Sequence, residues 1–237
     1  MGMTTLLIDA GNTRLKWARL SDGIRVAEGV CKKVSDLAAG AAPDAVWISN
    51  VAGPEVAAQL EVLCRRWRTS PHWVRAEAAC CGVRNGYELP WQLGSDRWAA
   101  LVAAWDRVRG ACLVVSCGTA TTVDALSDQG EFLGGLILPG LDLMRSSLAT
   151  GTALPPHSGG RVQDFPRNTA DAIHSGAVLA TTGAIRQQYA KLPMASPCLL
   201  GGGAVAQLGD LLNDLPLLRV ENLVLDGLQV LARGQAT

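Results

Sequence analysis

The sequence predicts an α/β fold built from two similar halves, and three observations predict it. An apolar run, Leu6-Leu7-Ile8-Asp9, enters a turn at Ala10-Gly11-Asn12-Thr13 and leaves as an alternating strand, Arg14-Leu15-Lys16-Trp17. A second run of the same kind occurs at Leu113-Val114-Val115-Ser116-Cys117-Gly118-Thr119-Ala120. Around each run strands come first and helices after, which reads as a duplicated unit, a mixed sheet with flanking helices. The alternative is chance, because strand-Gly-turn patterns are common; the shared order of elements favours duplication.

Composition narrows the class. The chain has 237 residues, 49% of them hydrophobic, and zero formal net charge. That is a globular composition with no electrostatic case for nucleic acid or a membrane surface as partner. No apolar run approaches the roughly 18–20 residues needed to cross a bilayer. No basic segment followed by an apolar stretch and a small-residue cleavage site opens the chain, so no secretory signal is expected. Seven cysteines, an odd number without Cys-x-x-Cys, indicate a reducing cytoplasm. The adjacent Cys80-Cys81 reads as two buried small hydrophobes rather than a redox pair. The histidines, His72, His157 and His174, lie far apart in sequence and suggest neither a zinc site nor a Ser-His-Asp arrangement.

The elements follow in order. In the first hairpin Leu15 and Trp17 share one face, and Arg14 and Lys16 the other. Asp22-Gly23 is a hairpin turn before a strand over Gly23–Val30. Ala45–Ser49 is a short buried strand. Pro54 opens a helix whose face is Val56, Leu60, Leu63, Cys64 and Trp67. His72–Arg75 is a strand, and Ala78–Gly94 is irregular. A helix starts at Ser95-Asp96-Arg97, carries Trp98, Leu101, Val102, Trp105 and Val108 as its stripe, and is ended by Gly110. The second hairpin follows, then a strand over Phe132–Leu138 interrupted by Gly134-Gly135, and a short helix over Asp142–Ala149. Thr150–Pro166, with Pro155-Pro156, is a loop. A long helix over Ala170–Lys191 carries many small residues suited to close helix packing. A strand at Cys198–Leu200 and helices near Ala204–Leu212 and Glu221–Ala232 finish the chain. The domain boundary falls between 110 and 111, giving halves 1–110 and 111–237.

The turns carry the chemistry. A Gly-Asn-Thr turn beside Asp9 offers backbone N–H groups and small polar side chains to a phosphate, and a carboxylate to its hydrated Mg²⁺. An ordinary tight hairpin is the alternative. There is no Gly-x-x-x-x-Gly-Lys-Ser/Thr and no strand-linked Gly-x-Gly-x-x-Gly. A nucleotide site here is therefore of the actin-like kind, with one phosphate-facing turn from each half.

Five segments resemble one family. Asp9-Ala10-Gly11-Asn12-Thr13-Arg14-Leu15-Lys16 is similar to the Asp-x-Gly-Asn-Thr-x-x-Lys phosphate motif of type III pantothenate kinases. Tyr87-Glu88-Leu89-Pro90 and Gly94-Ser95-Asp96-Arg97 resemble their Tyr-x-x-Pro and Gly-x-Asp-Arg segment. Cys117-Gly118-Thr119-Ala120 with Thr122 and Asp124, Gly134-Gly135 with Pro139-Gly140, and Asn168-Thr169 match in the same order. The resemblance implies duplicated ribonuclease H-like domains, as in actin-like ATPases, with a dimer-forming helix in the second. It implies ATP-dependent phosphorylation of pantothenate, the first step toward coenzyme A, by a homodimer.

The resemblance also implies roles. Asp9 holds Mg²⁺ through water, and Gly11, Asn12, Thr13 and Lys16 surround the β- and γ-phosphates. Gly118 and Thr119 contact ATP from the second hairpin. Asp96 is the base for the pantothenate hydroxyl, although an Asp near a helix start is also a stabilising residue in its own right. Arg97 suits the substrate carboxylate because a guanidinium binds it bidentately. Tyr87, Gly94 and Ser95 complete the substrate segment, and Thr169 reaches the partner subunit's substrate site; its plain alternative is a helix N-cap. Two departures stand out. Ser116 occupies the position where the family commonly has an Asp for a monovalent cation such as K⁺ or NH₄⁺, so that dependence is in question. Gly203 replaces the Asp of a Thr-Gly-Gly-Asp motif. The alternative functions are a non-catalytic nucleotide-binding regulator on the same fold, of the accessory transcription factor kind, and another small-molecule kinase or phosphatase.

Overall fold

The computed structural model describes residues 2–152, 159–208 and 210–234. It divides into two compact units: Met1–Arg109 with Gly130–Phe132 and Asn222–Thr237, and Gly110–Gln129 with Leu133–Glu221.

The first unit is built on a five-stranded sheet. Its strands are β1 (Thr4–Ala10), β2 (Leu15–Ser21), β3 (Ile24–Cys31), β4 (Ala45–Asn50) and β5 (Pro71–Trp73), in the order β3-β2-β1-β4-β5. β1 runs antiparallel to β2 and parallel to β4. Asp22 and Gly23 both take positive φ, 49° and 77°, the conformation a two-residue hairpin turn favours.

Alternation along the strands decides what each face meets. Leu6, Ile8, Ala10, Leu15, Val46 and Ile48 form one core with Leu60, Leu63 and Cys64 of α1 (Pro54–Trp67). Leu7, Asp9, Trp47 and Ser49 then point to the opposite face. Helix α2 (Ser95–Val108) packs against β4, and the C-terminal helix (Leu223–Gly234) packs against β1, β4 and α2. Because α2 is covered by both the sheet and that helix, every residue from Arg97 to Ala104 is buried, more than the single stripe expected. Arg109, in the left-handed conformation at φ 49°, closes α2 one residue before the expected Gly110.

Between β5 and α2 the expected irregular stretch contains a small hairpin. β6 (Ala79–Cys80) and β7 (Val83–Asn85) are joined by Cys81 and Gly82, both at positive φ. β7 pairs with Glu131 and Phe132.

The second unit repeats the plan. β8 (Cys112–Cys117), β9 (Ala120–Leu126), β10 (Glu131–Pro139), β11 (Cys198–Gly201) and β12 (Leu217–Val220) are ordered β10-β9-β8-β11-β12. β8 is antiparallel to β9 and parallel to β11, as β1 is to β2 and β4. This is the duplicated actin-like architecture. β10 runs through Gly134-Gly135 without the expected break, Gly134 absorbing the bend at φ 115°. The core joins Leu113, Val115, Val123, Leu200 and Leu208 to Ala177, Val178 and Ile185 of the long helix.

That unit's helices are α3 (Leu141–Gly151), α4 (Thr169–Tyr189) and α5 (Val205–Leu208). The helix expected over Ala204–Leu212 is thus four residues long where described, and β12 follows it unannounced. The final helix, Leu223–Gly234, is α6. Of the loop expected over Thr150–Pro166, residues 153–158, with Pro155-Pro156 and His157, lie outside the described residues. Among the described residues no helix is long and apolar enough to cross a membrane.

Candidate active site

In the first unit the functional side chains converge because strand parity and helix placement agree. Asp9 ends β1, with Lys16 opposite it on β2 and Ser49 opposite it on β4. Residues paired across a sheet share a face, so all three lie on the α2 side. Burial pushes the Asp9 carboxyl from 3.8 up to about 6; Lys16 and Arg14 oppose the rise and Asp96 adds to it. Gly11 is half-buried in the turn, and Asn12 and Thr13 stand exposed at its tip, beside the Asp9–Lys16 pair.

Asp96 lies in the first turn of α2, after Gly94 as N-cap. Its carboxylate accepts the Arg97 amide at 2.7 Å. A Cβ on Gly94 would stand 2.7 Å from that same carboxylate oxygen, so only glycine leaves it in place. Ser95 bonds Ser49 hydroxyl to hydroxyl at 2.9 Å.

Arg97 points the other way. It is buried, yet its guanidinium donates to the Tyr87 hydroxyl at 2.9 Å. The rings of Tyr87 and Phe132 lie 5.6 and 5.7 Å from it, close enough for cation–π attraction. Tyr87 itself tilts against Phe132 at 5.2 Å. Sequence reasoning did not include Phe132, which sits far along the chain; the Gly130–Phe132 segment reaches Tyr87 only through β7 pairing.

In the second unit Ser116 is exposed at the end of β8, and Gly118 and Thr119 form the exposed turn. The Gly118 amide donates to the Ala120 carbonyl at 3.0 Å, and the Gly140 amide to the Thr119 carbonyl at 2.9 Å. Gly140 lies so close under the turn that any side chain would strike the Gly118 and Thr119 carbonyls. Gly202, at φ 108°, presses equally closely on the Cys117 backbone. Gly203 is exposed beside it.

Thr169 is exposed as the first residue of α4. The N-cap is Asn168, whose side chain accepts the Asp171 amide at 2.9 Å, so capping is not what Thr169 supplies. Asp9, Lys16, Tyr87, Gly94, Ser95, Asp96 and Arg97 are thus gathered in the first unit, and Ser116, Gly118, Thr119 and Thr169 belong to the second. Among the described residues there is no group of three His, Cys, Asp or Glu side chains that could hold a metal alone. Asp9 could hold a cation beside bound phosphates, because positive charge would relieve a carboxyl whose pKa is raised by burial and by Asp96.

A family model described as type III pantothenate kinase matches residues 5–191. A type III pantothenate kinase of Aromatoleum aromaticum is 50% identical over 240 residues, covering 98% of each chain. One from Nitrosospira multiformis is 47% identical, covering 98% of this chain and 92% of the relative. Among solved structures, a conserved protein from Campylobacter jejuni assigned to the Baf family of transcriptional activators superposes with a TM-score of 0.65. It has 18% identity and covers 98% of this chain and 100% of that one, a likeness of fold.

Proposed function

The chain belongs to the type III pantothenate kinase family, and on that premise we propose that it phosphorylates pantothenate with ATP, giving 4′-phosphopantothenate, the first step toward coenzyme A. The observation that carries the reading is the pairing of Asp96 and Arg97 on consecutive residues of α2. Arg97 is backed by Tyr87, and Asp96 neighbours the Asp9 turn.

Phosphoryl transfer to an alcohol needs the phosphates neutralised, the hydroxyl aligned and its proton accepted. The Gly11-Asn12-Thr13 turn and Lys16 bind the β- and γ-phosphates, and Gly118 and Thr119 contact ATP from the other hairpin. Asp9 would hold Mg²⁺ through water, and the ion would compensate the charge of those phosphates. Arg97 grips the pantothenate carboxylate with Tyr87 as support. That grip turns the far hydroxyl toward Asp96, which takes its proton as the new O–P bond forms and ADP leaves.

The functional unit is a homodimer in which Thr169 reaches the partner's substrate site. Ala172, Gly176, Leu179 and Ala180 support this, since they are exposed along one face of α4 at helical spacing. Small residues on such a face let a second helix approach closely. Ser116, a hydroxyl rather than a carboxylate, gives a monovalent cation a weak ligand, so K⁺ or NH₄⁺ is dispensable. Free thiols at all seven cysteines suit the reducing cytoplasm. Mass-spectrometric detection of 4′-phosphopantothenate after incubation with MgATP and pantothenate tests the reading; no product would refute it.

A further inference from the structure

Ser49 has no place in the chemistry described so far, yet its position is unusual. It is a hydroxyl at the end of a central strand, fully buried at 0% exposure. A buried hydroxyl needs a partner, and this one's is the Ser95 hydroxyl at 2.9 Å. Ser95 is the first residue of α2 and precedes Asp96. Ser49 is also the β4 residue paired with Asp9 on β1. One hydrogen bond therefore ties the start of the helix that carries Asp96 to the strand neighbour of Asp9.

We propose that the Ser49–Ser95 hydroxyl bridge fixes where Asp96 stands relative to Asp9, making Ser49 a positioning residue for phosphoryl transfer. The inference rests on the reading of Asp96 as the base. Arg97 has its own anchors at Tyr87 and Phe132, so loss of the bridge disturbs the carboxylate of Asp96 more than the grip on the substrate. Small displacements of a reacting group are costly to rate, so the effect belongs in kcat and not in KM.

The test is a double-mutant cycle of Ser49→Ala and Ser95→Ala, read as kcat and KM for pantothenate, with melting temperatures measured alongside. Each single variant is expected to lose about tenfold in kcat with KM for pantothenate within about twofold, and the double variant to lose no more than either. In an Asp96→Asn background neither change lowers the residual rate further. Independent losses that multiply, a loss confined to KM, or unchanged kcat in a folded Ser95→Ala protein would each overturn the proposal. Should Ser49→Ala fail to fold, Ser95→Ala at the half-buried helix start carries the same test. Absence of pantothenate phosphorylation by the unaltered chain, or full turnover by Asp96→Asn, would instead overturn the functional reading beneath it.

Discussion

The Arg97 guanidinium donates to the Tyr87 hydroxyl at 2.9 Å, with the Tyr87 ring beneath it and Phe132 alongside. A buried cation held in this way is oriented before substrate arrives, which lowers the cost of binding a carboxylate. Tyr87→Phe removes the hydroxyl and leaves the rings. It is expected to raise KM for pantothenate about three- to tenfold, with kcat little changed. Arg97→Ala raises it roughly tenfold to a hundredfold. Steady-state kinetics on both variants checks this; an unchanged KM in Arg97→Ala removes Arg97 from the carboxylate site.

Asp9 gives a prediction on stability. In the folded protein it keeps its proton up to about pH 6, against 3.8 for the ordinary carboxyl. Between those values the folded state binds the extra proton, so stability falls as pH rises through the window and levels off above it. The cost at neutral pH is about 3 kcal/mol. Asp9→Asn removes it, so without Mg²⁺ or nucleotide the variant melts about 5 °C or more higher at pH 7, while losing kinase activity. The gain shrinks toward pH 4. Thermal melts across pH measure it, and a variant that melts lower at pH 7 contradicts the assignment.

The exposed face of α4 predicts an oligomeric state. Leu179→Glu places a charge on the stripe of Gly176, Leu179 and Ala180 and is expected to convert a dimer to a monomer in analytical ultracentrifugation. With Thr169 serving the partner subunit as proposed, kcat/KM for pantothenate is expected to fall with dissociation. A monomeric unaltered protein with full activity would contradict this.

Ser116 predicts indifference to the monovalent cation. Exchanging K⁺ for Na⁺ is expected to change the rate less than about twofold, because one exposed hydroxyl replaces the carboxylate that favours cation binding. A steep K⁺ requirement in the same assay would show another ligand at work.

Much of this was legible in the residues, and the reasons differ by element. The two hairpins announce themselves as apolar runs ending at Asp9 and Ser116, and Pro54 marks the start of α1 because its ring suits a first helical turn. Asp96 and Arg97 were readable as a pair through the Gly94-Ser95-Asp96-Arg97 segment that carries the family resemblance. β6, β7 and β12 were not, since each is only two to four residues long and none carries an apolar run into a glycine turn such as the one that marked β11. Arg109 took over from Gly110 because tertiary packing can hold a non-glycine residue in the left-handed cap. Phe132 and Ser49 were invisible for a further reason. Each matters through a partner distant in sequence, Tyr87 for one and Ser95 for the other, and only the fold brings them together.

The most direct measurement is ATP consumption in a coupled assay, with pantothenate present or withheld, by the unaltered chain and by Asp96→Asn. The account predicts turnover that depends on pantothenate, and a loss of about a hundredfold or more in Asp96→Asn without a lower melting temperature. ATP consumption indifferent to pantothenate, or near-normal turnover in Asp96→Asn, would contradict it.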